Sequence, residues 1–195
     1  PSGRALLEDI SFSIRKGEVL GLAGVEGNGQ AELVEAIMGM RQLTSGTIML
    51  GDRDITSWST RARREAGIAY IPEDRHRHGL LLEAPLWENR LLGHQTEPRS
   101  VKGPWIDRTA ARDDTRRIVE EYDVRTPGID VLASSLSGGN QQKLIVGREM
   151  SGEPSVLIAA HPTRGVDVGA QAAIWDHIRN ARRAGLAVLL ISADL

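Results

Sequence analysis

Leu136-Ser137-Gly138-Gly139-Asn140-Gln141-Gln142-Lys143 is the stretch that decides the fold. It lies between a polar, turn-rich lead-in, Ala133-Ser134-Ser135, and a run of helical character from Gln141 to Met150. Ser137 is a candidate N-cap, because its hydroxyl can accept from an orphan amide of the first turn. Gly138 and Gly139 leave the backbone bare, so a phosphate can approach the amides at a helix start, where the dipole also favours an anion. A plain capped turn explains a Ser-Gly-Gly tripeptide equally well. Eight residues in this order ask for more than a turn.

Composition narrows what surrounds that stretch. A chain of 195 residues is one domain by length and long enough for a sizeable core. An apolar fraction of 41% beside 26% charged residues is that of a globular protein. A net charge of -2 offers no electrostatic case for nucleic acid or an anionic lipid surface. Cysteine is absent, which excludes a disulfide framework and thiolate chemistry. No apolar run approaches the roughly 18 residues of a bilayer span. The chain starts on Pro1-Ser2-Gly3 and stops at Leu195 after an apolar run, so a fragment of a longer protein is expected.

Residues 6–14 alternate, with Leu6, Ile10, Phe12 and Ile14 on even positions, and predict a half-buried strand. Val19-Leu20-Gly21-Leu22-Ala23 is a continuous apolar run, as in a strand covered on both faces. Gly24-Val25-Glu26-Gly27-Asn28-Gly29-Gln30-Ala31 follows, and then a helix from about Glu32 to Met40. Strand, glycine-rich turn and helix make the layout of a phosphate-binding loop. The spacing G-x-x-x-x-G fits, but Gln30 stands where the phosphate-reaching lysine belongs and Ala31 where the magnesium-ligating hydroxyl belongs. A dinucleotide fingerprint fails at its third glycine, which is Glu32; a tight turn binding nothing remains open.

Thr47–Leu50 between Ser45-Gly46 and Gly51-Asp52 predicts a strand able to form an antiparallel layer with residues 6–14. A helix is expected around Thr60–Ala66 and a buried strand at Ile68–Ile71. The Arg/His run of residues 75–78 reads as a solvated loop, and His76 with His78 alone does not close a zinc site. Pro85–His94 reads as helix, Gln95–Pro104 as a polar linker, and Asp107 as the cap of a charged helix running to about Tyr122. A strand over Ser155–Ala159 runs into Ala160-His161-Pro162-Thr163; a helix over about Gly169–Ala184 ends at Gly185, and Leu186–Ser192 forms the last strand.

Together these stretches resemble ATP-binding-cassette (ABC) ATPases over nearly the whole chain, Leu6 to Leu195. The resemblance is nearest to the second cassette of two-cassette importers of ribose, galactose and nucleosides. It rests on Gly24–Gln30, on Tyr70-Ile71-Pro72-Glu73-Asp74-Arg75-His76-Arg77, on Leu136–Lys143 and on His161–Ala170. It implies an α/β fold, P-loop NTPase-like, with a mainly parallel central sheet, an antiparallel β layer and a helical insert. Residues 1–84 and 129–195 would form the core and 85–128 the insert.

The resemblance also assigns roles. Gly24, Glu26, Gly27, Asn28, Gly29, Gln30, Ala31 and Glu32 would line the nucleotide loop. Leu136, Ser137, Gly138, Gly139, Asn140 and Gln141 would be the signature that caps the γ-phosphate of ATP held by a partner cassette. Asp167 would belong to the interface-crossing D-loop, and Glu73 stands at the Q-loop position, which couples to a membrane permease through residues 73–79. Ala160 stands where the magnesium-binding aspartate is expected, His161 where the water-polarising glutamate is, and Ala193 near the switch histidine. No metal ligand set remains.

Phosphoryl transfer depends on positioning and charge neutralisation around the γ-phosphate. Each charge-assisted contact is worth about 1.5–3 kcal/mol, so losing two slows hydrolysis by roughly a hundredfold or more. The resemblance therefore implies a silent site of its own, ATP held weakly or not at all, and magnesium only in the partner site. The partner cassette is expected in the same full-length chain, at the cytoplasmic face of the membrane, with no nucleic acid bound. A competent ATPase using His161 as base and a non-transport ABC scaffold protein are the rival readings.

Overall fold

The computed structural model describes residues 7–24 and 27–192. In chain order its elements are β1 (Val19–Ala23), α1 (Gln30–Ile37), β2 (Met49–Leu50), β3 (Arg53–Asp54), α2 (Thr60–Glu65), β4 (Ile68–Ile71), a π-helical turn (Arg75–Gly79) and α3 (Leu86–Leu91). A 3-10 turn (Pro98–Ser100), β5 (Val101–Lys102), β6 (Trp105–Ile106) and α4 (Arg108–Glu121) follow. The chain closes through a second 3-10 turn (Ala133–Ser135), α5 (Gly138–Met150), β7 (Val156–Ala160), α6 (Val168–Arg183) and β8 (Ala187–Ser192).

The main sheet is parallel, in the order β1-β8-β7-β4. Its two central strands explain their unbroken apolar sequences, because successive side chains of a strand enter opposite layers. Leu157, Ala159, Val188 and Leu190 join the core built on Leu144, Ile145 and Ile174. Ile158, Ala160, Leu189 and Ile191 join the other, built on Val34 and Met38. β1 departs from expectation. It is an edge strand among the described residues, and its side chains are exposed or half-buried rather than covered on both faces.

The stretch expected as a strand over residues 6–14 forms none among its described residues, 7–14; Leu6 lies outside them. Ile10 and Phe12 are 49% and 46% exposed, and only Ile14 packs on the core. Alternation sets a face but supplies no ladder partner. The partner expected, β2, pairs instead with β3 across Gly51-Asp52, so the antiparallel component is a short hairpin. The linker expected at 95–104 is likewise folded. After the Pro98–Ser100 turn, β5 and β6 pair around Gly103-Pro104, with Gly103 at φ 63 and the proline second, as a type II′ turn requires.

The caps read from the sequence form. Asp107 accepts from the Ala110 amide and Ser137 from the Asn140 amide, starting α4 and α5. Gly185 closes α6 at φ 110. Helix α5 is buried from Gln141 to Met150. It lies tight on α4: a Cβ at Gly147 would stand 2.5 Å from Ile118 Cγ2 and 2.9 Å from Tyr122 Cδ2.

This central helix also carries ionised groups. Glu149, 1% exposed, accepts from Arg64 (2.7 Å), from the Tyr70 amide (3.1 Å) and from Arg148 Nε (3.0 Å). Burial raises its carboxyl, but the charges of Arg148 and Arg64 outweigh that and hold it well below the usual carboxylate range. Arg148 also donates to Gly79 O and Asn89 O. Across the same seam His94 and Arg90 bond Glu97, and Arg90 reaches Asp114 on α4. Burial opposes ionisation of Glu97, yet these hydrogen bonds lower it to about 2. A chain of charge thus ties α2 and β4 to α5 and α4.

Candidate functional site

β1 delivers the chain to the glycine-rich turn, and α1 leaves it. Gly27 and Gly29 lie at φ 88 and φ 99, where a Cβ is penalised, and Gly29 is the N-cap of α1. A capping glycine brings no side chain of its own to the first-turn amides, as an anion cradle requires. Here the cradle is used from within. Gln30, at the lysine position, folds back so that its Oε1 accepts from the Asn28 amide at 3.0 Å. Its Nε2 stands 2.6 Å from where a Cβ on Gly24 would be. Glu32 follows on the first turn of α1, while Glu26 lies outside the described residues.

Gln30 and Ala31 share a cavity of about 500 Å³ with Tyr70, Glu73 and Ala160. A magnesium ion needs free carboxylate or hydroxyl oxygens. Ala31 and Ala160 have none. The four carboxylates on the cavity wall are engaged: Glu73 with Arg164, Asp74 with the amides of His76 and Arg77, Glu35 with Arg41, and Glu149 with Arg64 and Arg148. Among the described residues no group of three His, Cys, Asp or Glu is placed to hold a metal. These residues do not fit a magnesium ion.

His161 follows β7 with its backbone at φ 47. Its amide donates to Ile191 O, and its carbonyl accepts from the Arg164 amide. Its side chain makes no hydrogen bond among the described residues. Ala193 lies outside them.

The start of α5 is braced on every side. Asn140 Nδ2 donates to Ser137 Oγ at 3.0 Å, and its Oδ1 accepts from the Arg125 amide. Gln141 Nε2 donates to Ala133 O, Gln142 Nε2 to Pro162 O, and Lys143 to the carbonyl and carboxylate of Asp123. Leu136 is in the core and Gln141 is buried, which leaves Ser137 exposed and Gly138 half-exposed at the surface. The two glycines also admit close neighbours from their own chain. A Cβ on Gly138 would stand 2.7 Å from Arg75 Nη2, and one on Gly139 would stand 2.9 Å from Asp167 Oδ2. Asp167 is itself the N-cap of α6, and the Ala170 amide it accepts from lowers its carboxyl.

The Arg/His run is a π-helical turn capped by Asp74. His76, Arg77 and His78 are exposed, as expected of a solvated loop, but Arg75 is half-buried and, with His76, meets Gln141 Oε1 (3.3 Å and 2.9 Å). Arg75 Nη1 donates to Arg164 O at 2.8 Å. The turn after β4, the start of α5 and the loop before α6 therefore meet at one guanidinium. Charge alone gave no sign of this, because the partners are a carbonyl and an amide more than 60 residues away.

Comparison with known proteins agrees with this geometry. A family model described as ABC transporter matches residues 7–164. The chain is 46% identical over 194 residues to the guanosine import ATP-binding protein NupO of Bacillus subtilis, covering 99% of this chain and 38% of that protein. It is 45% identical over 193 residues to the nucleoside import ATP-binding protein NupA of Lactococcus lactis, with the same coverage. It is 37% identical over 194 residues to a ribose import ATP-binding protein, RbsA 2, of Rhizobium johnstonii, covering 100% and 38%. The chain spans about two-fifths of the length of these curated relatives. In fold it is similar to a nucleotide-free ATP-binding cassette from an ABC transporter, with TM-score 0.80 and 24% identity over 97% of this chain and 76% of that one. It is equally similar to a dimeric cassette bound to ADP and phosphate, with TM-score 0.80 and 18% identity over 97% and 80%.

Proposed function

The chain belongs to the ABC transporter family, and from that premise we propose that it is one cassette of a nucleoside or sugar importer, silent at its own nucleotide loop and active through its signature. Its own loop holds ATP weakly or not at all. Ser137, Gly138 and Gly139 complete the ATP site of a partner cassette, where magnesium and hydrolysis reside. That partner is a second cassette of the same full-length chain, a reading supported by relatives more than twice as long as this sequence. The Glu73–Gly79 turn meets the permease, so the whole sits peripherally on the cytoplasmic face of the membrane. Among the described residues no helix is long and apolar enough to cross it. Residues 1–84 and 129–195, with α5 among them, act as the core and 85–128 as a helical insert.

The observation that carries this reading is Gln30. Its side chain occupies the loop and takes the Asn28 amide that a phosphate would use. Ala160 at the end of β7 leaves that loop no metal to complete it. Replacing a group that contributes nothing to the transition state leaves kcat unchanged. Gln30→Ala in the intact importer is thus expected to keep steady-state ATP hydrolysis within about twofold, and His161→Ala likewise. A tenfold loss from either would mean that this site turns over ATP, which is the competent-ATPase rival.

A further inference from the structure

We infer that Arg75 is a positioning residue, through which the permease-facing turn sets the place of the signature and of the D-loop behind it. This rests on the reading of Ser137–Gly139 as the trans signature and adds the link that moves it. Two segments, the start of α5 and the loop before α6, meet this one side chain. Nε donates to Gln141 Oε1 on α5, Nη1 donates to Arg164 O in the loop before α6, and Nη2 lies against Gly138. The same guanidinium stands 3.6 Å from where a Cβ on Gly165 would be. Arg75 thus lies beside both Gly138 and Gly165, which are themselves neighbours: a Cβ on Gly138 would stand 3.2 Å from Gly165 O.

The geometry is specific to arginine. A planar fork with five donors reaches a side-chain amide and a main-chain carbonyl at once, beside two glycines that leave it room. Lysine's donors radiate from one nitrogen and lack the fork that spans two acceptors on different segments. The turn is stiff enough to transmit a displacement. Asp74 accepts from the amides of both His76 and Arg77, and His76 shares Gln141 Oε1 with Arg75. Glu73, one residue before this cap, pairs with Arg164, the residue whose carbonyl Arg75 holds. A push on residues 74–79 therefore shifts the start of α5 and the D-loop as one unit. Such a residue acts on the geometry of the closed site and leaves the first encounter with ATP alone, so it moves kcat and spares KM.

Steady-state ATP hydrolysis by the intact importer in its membrane complex tests this with five variants. Arg75→Gln is expected to lower kcat about tenfold or more, with KM for ATP within about twofold and the melting temperature close to wild type. Arg75→Lys falls between the two. Gln141→Leu, which removes the acceptor from the other side, lowers kcat similarly, and the double variant is no slower than the slower single one, because both cut the same link. Ser137→Arg is the reference for the trans site. If it is inactive while Arg75→Gln keeps wild-type kcat, the link is wrong and the trans reading stands. If Arg75→Gln loses kcat only in step with a lower melting temperature, Arg75 is a structural brace and the inference fails. If Ser137→Arg itself hydrolyses ATP normally, the trans reading fails first.

Discussion

An intact importer carrying Ser137→Arg is expected to lose ATP hydrolysis and transport by about 100- to 1,000-fold, the cost of removing a positioned donor from a charge-stabilising site. Ser137 is exposed at the start of α5, and its neighbour Gly138 is half-buried. An arginine there fills the space over the glycine amides and puts a cation at the positive end of a helix dipole. The change is local. The cap it removes is one hydrogen bond from the Asn140 amide, worth about 1 kcal/mol. Ser137→Ala removes that cap without the bulk, so its lesser loss of turnover, set beside the arginine variant, separates capping from blockage. Membrane vesicles assayed for both hydrolysis and uptake give the measurement. Normal uptake by the arginine variant would sink the signature role.

Glu149→Ala is expected to destabilise the cassette by about 3–5 kcal/mol, the loss found when one partner of a buried ion pair is removed. Arg148 is 3% exposed and would keep a desolvated charge whose paired carboxylate is gone. The Tyr70 amide at the end of β4 would lose its acceptor as well. For a domain of this size that corresponds to a fall in melting temperature of roughly 10 °C. Differential scanning calorimetry reads it directly, and a shift under about 2 °C would mean that the network contributes little.

The same network sets an acid sensitivity. Glu97 is lowered to about 2 from an ordinary 4.5, and Glu149 is lowered further. A carboxyl depressed by folding stabilises the native state above its unfolded pKa, and that contribution is lost as protons bind. Denaturant midpoints should therefore hold down to about pH 5 and fall progressively towards pH 2. The slope should be shallower in Glu149→Ala, which has one such carboxyl fewer.

Much of this was legible in the chain itself. Asp107 and Ser137 announce their helices because a side-chain oxygen one residue before a helical run has one obvious partner, an orphan amide. The runs Val156–Ala160 and Ala187–Ser192 announce two-sided burial by having no polar face. The glycine-rich turn and the Ser-Gly-Gly start of α5 were placed by the same local rules, whereas the reading of Ala160 and His161 as replaced carboxylates came only from the resemblance. Residues 7–14 misled because a period of two reports a face and says nothing of a ladder partner. Gly103-Pro104 was passed over as linker although its order suits a type II′ turn.

Arg63 shows the limit most clearly. It is 1% exposed and donates to the carbonyls of Ala36, Ile37, Thr56 and Trp58, closing the end of α1 from 26 residues away. Nothing in its neighbours distinguishes it from Arg61, which pairs with Glu65 at the surface. Arg75, Gln142 and Glu149 belong with it. The chain alone determined most of the elements and their caps, because these depend on neighbours within a few residues. Which polar side chain meets which distant carbonyl, and hence that the turn after β4, the start of α5 and the loop before α6 converge on one guanidinium, was decided only when the sheet brought segments 60 to 90 residues apart into contact. Such pairings satisfy desolvated donors and acceptors, and that need arises only once the fold has excluded water.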